Sequence, residues 1–202
     1  MKNKKALLIL TLTFALLLGG AYLLYSRLAD GLETDQLAVQ NPSVPSSATS
    51  NAQGSADDTQ PAQAPDFIVY DRSGSEIRLS DYFGKPIVLN FWASWCGPCQ
   101  LEMPDFQEKY LELGDQVNFL MINMTDGTRE TVSSASDFIE AQKYTFPVFF
   151  DTASDAAMTY GAYSLPTTYF IDAEGHAIAQ AIGAIDGGTL QQGIDMILDT
   201  SA

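Results

Sequence analysis

PIVLNFWASWCGPCQLEMP, residues 86–104, runs from an unbroken apolar segment into Cys-Gly-Pro-Cys, and its two cysteines are the only ones in the 202-residue chain. The part PIVLNFWA (86–93) has the length and composition of a strand buried on both faces. After it, Cys99, Met103, Phe106, Tyr110 and Leu113 recur at helical spacing, so a helix follows the cysteines directly. A buried strand thus delivers two thiols to the first turn of a helix.

The flanking segments extend this pattern. FIVYD (67–71) and EIRL (76–79) flank RSGS and predict a hairpin. VNFLMINM (117–124) predicts a second buried strand, residues 129–142 a helix, PVFFD (147–151) a short strand and 153–160 a short helix. TTYFID (167–172) and HAIAQAIG (176–183), joined at Ala173-Glu174-Gly175, predict another hairpin, and TLQQGIDMILD (189–199) a closing helix. The order predicts an α/β domain over residues 65–202, with a mixed central sheet flanked by helices.

The first 64 residues differ in kind. Lys2, Lys4 and Lys5 precede ALLILTLTFALLLGGAYLLY (6–25), which carries no charge. At about 1.5 Å rise each, twenty such residues cross a hydrocarbon core of about 30 Å. No small-x-small cleavage site ends the run convincingly, and no cysteine follows it for lipidation. Residues 1–29 are therefore expected to be an uncleaved signal-anchor, its lysines on the cytoplasmic side and the rest of the chain extracytoplasmic. Residues 30–64, rich in Ser, Ala, Gln, Asn, Pro and Asp, read as a flexible linker that cannot bury enough surface to order itself. A net charge of −15 argues against nucleic acid as a partner, since binding through phosphates needs clustered cations.

Several chemistries are open to two thiols spaced this way. A static disulfide closing so short a loop restrains little of the unfolded chain. A structural zinc site wants four ligands, and the chain has one histidine, His176, read as a surface residue beside Gly175. A Cys-His nucleophile pair would need His176 near Cys96, and nothing in the sequence places it there. A redox pair has a mechanism behind it. At the helix start, unpaired N–H groups and the dipole stabilise a Cys96 thiolate. Pro98 loses no hydrogen bond in a first turn, and Gly97 leaves room for a substrate to approach the sulfur. Cys99, at the head of the apolar stripe, is the more buried thiol, so Cys96 would attack and Cys99 resolve.

FWASWCGPC resembles the active site of thioredoxins, and CGPCQLEMP is similar to the TlpA/ResA-like branch, membrane-tethered exported proteins of thioredoxin-like fold with a leading hairpin and an inserted segment, here at about 125–150. The resemblance implies a thiol-disulfide oxidoreductase with no cofactor or metal beyond the Cys96/Cys99 couple. It also implies that Pro166 is a cis-proline facing the cysteines, with Leu165 in the place that is Thr or Val in many relatives. Glu102 matches a glutamate that could exchange protons with the buried thiol. Pro104 matches a helix-kinking proline, and Trp92 and Trp95 flank the site, Trp95 as a shield for the disulfide. Where thioredoxins carry a buried aspartate this chain has Asn90, which cannot accept a proton, so the resemblance puts that role on Glu102.

Gly-Pro between the cysteines resembles the reducing members. The expected partners are thiols and disulfides of exported proteins, among them apocytochrome c or a methionine sulfoxide reductase, and a transmembrane electron donor of the CcdA/DsbD type. An oxidase that installs disulfides is the alternative within this chemistry. A thioredoxin-like metal chaperone would need wider cysteine spacing and a histidine, and a non-catalytic binding module would be expected to have lost a cysteine.

Overall fold

The computed structural model describes residues 37–39 and 61–200. The expected anchor, and the expected linker apart from 37–39 and 61–64, lie outside the described residues. Among the described residues, no helix is long and apolar enough to cross a membrane.

Eight strands form one sheet. In chain order they are β1 (Leu37–Val39), β2 (Ile68–Tyr70), β3 (Glu76–Arg78), β4 (Ile87–Trp92), β5 (Asn118–Asn123), β6 (Val148–Phe150), β7 (Thr167–Ile171) and β8 (Ala177–Ile182). Among the described residues the helices are α1 (Gly97–Leu113), α2 (Val132–Gln142), α3 (Asp155–Tyr160) and α4 (Gly187–Asp199), with a 3-10 turn at Leu79–Tyr82. Across the sheet the order is β1-β8-β7-β4-β5-β6-β2-β3. β4 pairs in parallel with β5 and antiparallel with β7, so the sheet is mixed.

β4 shows why its sequence reads as one apolar run: all six residues are buried. Its alternate side chains enter two different cores. Val88 and Trp92 join Met103 and Phe106 of α1, Ile139 of α2 and Ile194 of α4 on one face. Ile87, Leu89 and Phe91 meet Phe67, Val69, Leu79 and Tyr160 on the other. α4 lies close against β7 because residue 193 is glycine; a Cβ there would sit 2.3 Å from the Phe170 ring. Its start is fixed by Asp186, whose side chain accepts the Thr189 N–H at 2.8 Å.

Three differences from the sequence reading have physical causes. Leu37–Val39, assigned to the flexible linker, form β1, paired antiparallel with Ala179–Ala181 of β8. Without it, the outer edge of β8 would present an unpaired row of N–H and C=O groups. Leu37 is buried in this pairing, and further along Ala177 N–H reaches the Ala62 carbonyl while Ala64 N–H reaches that of Gly175. His176, expected on the surface, is largely enclosed: its Nδ1 lies 3.1 Å from Asp172 Oδ2, and its N–H donates to Asp172 Oδ1 at 2.7 Å. The helix expected over 129–142 begins only at Val132, because Thr131 caps it through the Ser134 N–H. Residues 126–130 form a loop wound around Asp126, whose Oδ1 accepts the N–H groups of Thr128, Arg129 and Glu130 at 2.7, 2.7 and 3.0 Å.

Candidate active site

The end of β4 and the start of α1 place the thiols. Cys96 is the N-cap of α1, with extended backbone (φ −82°, ψ 104°), and its Sγ accepts the Cys99 N–H at 3.2 Å. A sulfur therefore occupies the position where a cap oxygen usually satisfies a first-turn donor, and where negative charge on it is stabilised by the helix end. Cys96 and Cys99 are joined as a disulfide, with Cα atoms 5.3 Å apart. Cys99 is fully buried, whereas Cys96 lines a cleft of about 630 Å³.

That cleft brings together Trp95, Cys96, Gly97, Pro98 and Leu165 of the predicted set, with Met158, Tyr163 and Arg129 as further walls. Gly97 has open space where a Cβ would stand. Pro98 sits in the first turn of α1, and Pro104 lies inside the same helix. Pro166 is buried, the Leu165–Pro166 peptide is cis, and the Pro166 carbonyl accepts the Gly183 N–H at 2.9 Å. The tryptophans part company. Trp92 is fully buried beside Phe138, while Trp95 is 41% exposed and carries the Arg129 guanidinium 3.5 Å above its ring.

Glu102 does not line the cleft; it is buried between α1 and the sheet. Its Oε1 accepts from Asn90 Nδ2 at 2.9 Å, and its Oε2 from the Ile185 N–H at 3.1 Å. Burial pushes its carboxyl up to about 7; those two bonds pull the other way, and the charge of Asp105 adds to the rise. Asn90 also donates to Thr168 Oγ1 at 3.0 Å, and its own Oδ1 has no hydrogen-bond partner. The residue that cannot titrate thus touches the one that can. A carboxyl poised near neutrality one turn beyond the buried cysteine can take up or release a proton in the working range of a thiol.

Sequence reasoning missed Glu130. It is fully buried and accepts three hydrogen bonds: Ser94 Oγ at 2.7 Å, Ser94 N–H at 3.1 Å and Asn123 Nδ2 at 2.8 Å. An acid among Thr, Gly and Arg reads locally as solvated, and no local signal marks it out. Among the described residues, no cluster of His, Cys, Asp and Glu could hold a metal ion.

A sheet of this order, with two bonded cysteines at a helix N-terminus and a cleft shared by Cys96 and Leu165, the residue before a cis-proline, defines a thioredoxin-like thiol-disulfide oxidoreductase. The AhpC/TSA family model matches residues 61–180. The thiol-disulfide oxidoreductase ResA of Bacillus thuringiensis subsp. konkukian is 37% identical over 124 residues, 60% of this chain and 68% of that protein. The thioredoxin-like protein YneN of Bacillus subtilis is 33% identical over 134 residues, 66% of this chain and 78% of that protein. Among solved structures, StoA from Bacillus subtilis is 28% identical with a TM-score of 0.57, covering 66% of this chain and 99% of StoA. The exposed lipoprotein thioredoxin Etrx1 of Streptococcus pneumoniae is 35% identical with a TM-score of 0.55, covering 65% and 98%. The chain belongs to the AhpC/TSA family, in its TlpA/ResA-like branch of thiol-disulfide oxidoreductases.

Proposed function

We propose that this oxidoreductase works outside the cytoplasm, held by residues 1–29 in the membrane, and reduces disulfides in exported proteins. The observation that carries the reading is Cys96 at the N-cap of α1, its sulfur accepting the Cys99 N–H and the residue lining the open cleft. A Cys96 thiolate attacks one sulfur of a client disulfide. The client's other sulfur leaves as a thiolate and takes a proton, and a mixed disulfide remains. Cys99 then loses its proton, with Glu102 as the acceptor, and attacks the Cys96 sulfur. The client leaves with both thiols, and the pair of electrons it gained leaves Cys96 and Cys99 as a disulfide. A membrane dithiol carrier of the CcdA/DsbD type would return the electrons. Apocytochrome c thiols and a methionine sulfoxide reductase are the client classes in view.

Direction is tested by equilibrating the full chain with dithiol and glutathione buffers. A reducing role expects a potential near that of thioredoxin, about −270 mV; a value near about −120 mV, that of a strong oxidant, would overturn it. Protease added to intact spheroplasts should reach the domain, and full protection would overturn the location.

A further inference from the structure

We propose that Glu130 is a positioning residue of the redox centre: its carboxylate holds the turn that presents Cys96 after the disulfide has opened. The proposal rests on the oxidoreductase reading above and concerns a residue outside the Cys-Gly-Pro-Cys group.

The turn between β4 and α1 is Ala93-Ser94-Trp95-Cys96, and Ser94 is secured at every polar atom. Its N–H and Oγ–H both donate to Glu130, and its carbonyl accepts from the Gln100 side chain. Glu130 is held in turn from two directions. Asn123 at the end of β5 donates to the same carboxylate at 2.8 Å. The loop behind it is wound on Asp126, which accepts the Glu130 N–H. The carboxylate is a strut between the central sheet and the turn that carries the attacking sulfur.

Oxidised, the turn has a covalent tie, the bond from Cys96 to Cys99. Reduction removes it. What then fixes Cys96 is the Cys99 N–H to its Sγ, the Cys96 N–H to the Ala93 carbonyl, the Gln100 N–H to the Cys96 carbonyl, and the Glu130 strut two residues upstream. A turn that drifts carries the sulfur off the helix N-terminus and raises the thiol pKa.

Removing the carboxylate has two effects of opposite sign. Loosening the turn raises the Cys96 thiol pKa, and deleting a nearby negative charge lowers it. The other charged groups near the thiol pair are Asp126, Arg129 and Asp151 in the cleft and Glu102 one turn beyond Cys99, and both variants keep all four. Glutamine separates the effects. Its Oε1 still accepts from Ser94 N–H and Asn123, and its Nε2 donates to Ser94 Oγ, since a hydroxyl can accept as well as donate.

The test compares Glu130→Ala and Glu130→Gln in the reduced full chain. The readouts are the pH dependence of cysteine alkylation by iodoacetamide and the rate of reaction with 5,5′-dithiobis(2-nitrobenzoate). Glu130→Ala should raise the Cys96 thiol pKa and slow the reaction at pH 7 by about tenfold or more, with Glu130→Gln within about threefold of the parent. A folded Glu130→Ala protein with parental pKa and rate would overturn the proposal. So would Glu130→Gln falling as far as alanine, since glutamine keeps the contacts the proposal relies on and the charge it loses acts in the other direction. If Glu130→Ala does not fold, Ser94→Ala removes only the 2.7 Å bond and should shift the pKa less but in the same direction; no shift overturns the proposal. A parent chain inert to disulfides refutes the function, whereas a reactive parent with an insensitive position 130 refutes this inference alone.

Discussion

Glu102→Gln should change how stability depends on pH before it changes anything else. Glu102 titrates at about 7 when folded and near 4.5 when unfolded, with burial as the leading cause. Between those values the folded protein keeps a proton that the unfolded chain has released. The contribution is therefore fully present below pH 4.5 and lost as pH rises through 7. At 1.36 kcal/mol per pH unit, the loss amounts to about 3 kcal/mol across the window. Glutamine has no proton to lose. It can also keep both contacts: with Oε1 turned to the Ile185 N–H, its Nε2 faces Asn90, whose unpartnered Oδ1 becomes an acceptor on a half-turn of the amide. Denaturant titrations of the disulfide-intact full chain from pH 4.5 to 8 measure this, with the cysteines silent and every other acid shared. The parent should lose about 3 kcal/mol relative to Glu102→Gln over that range. Parallel curves would refute the argument that burial, rather than the two hydrogen bonds, governs this carboxyl.

Gly193→Ala forces a methyl against the Phe170 ring and should destabilise the domain by about 1–3 kcal/mol by denaturant titration, with the redox potential unchanged. Leu37→Ala removes the buried side chain of β1 and should cost about 2 kcal/mol or more; no loss would mean that β1 does not add to the stability of the sheet. Leu165→Ser alters a wall of the cleft without touching either sulfur, so it should raise KM for a protein disulfide several-fold and leave the potential alone.

The elements that could be read from sequence are those whose neighbours along the chain carry the signal. β4 and β5 are unbroken apolar runs, and the start of α1 is written in Pro98 and the stripe from Cys99 to Leu113. β1 could not be read, because three residues contribute little to the composition of a 35-residue polar segment; what orders them is the open edge of β8, more than 130 residues away. The same applies within the site. Trp95 to Cys99 and the Leu165–Pro166 pair belong to contiguous motifs, whereas Arg129, Met158 and Tyr163 reach the cleft only through the fold. The Asn90–Glu102 contact joins a strand to a helix, and the Glu130–Ser94 contact spans 36 residues, so only the folded chain brings these partners together.

The strand at Leu37–Val39 also bears on where a fragment of this protein should be cut. Composition suggests a start at residue 65, where the polar segment ends. A fragment cut there would lack β1 as well as the Ala62 and Gln63 contacts to the β7–β8 hairpin. The Ala177–Ile182 strand would then become a bare border, a template on which a second copy could add its own β8. Such a fragment should self-associate as its concentration rises. One that begins at residue 36 retains its own cover and should stay monomeric by comparison.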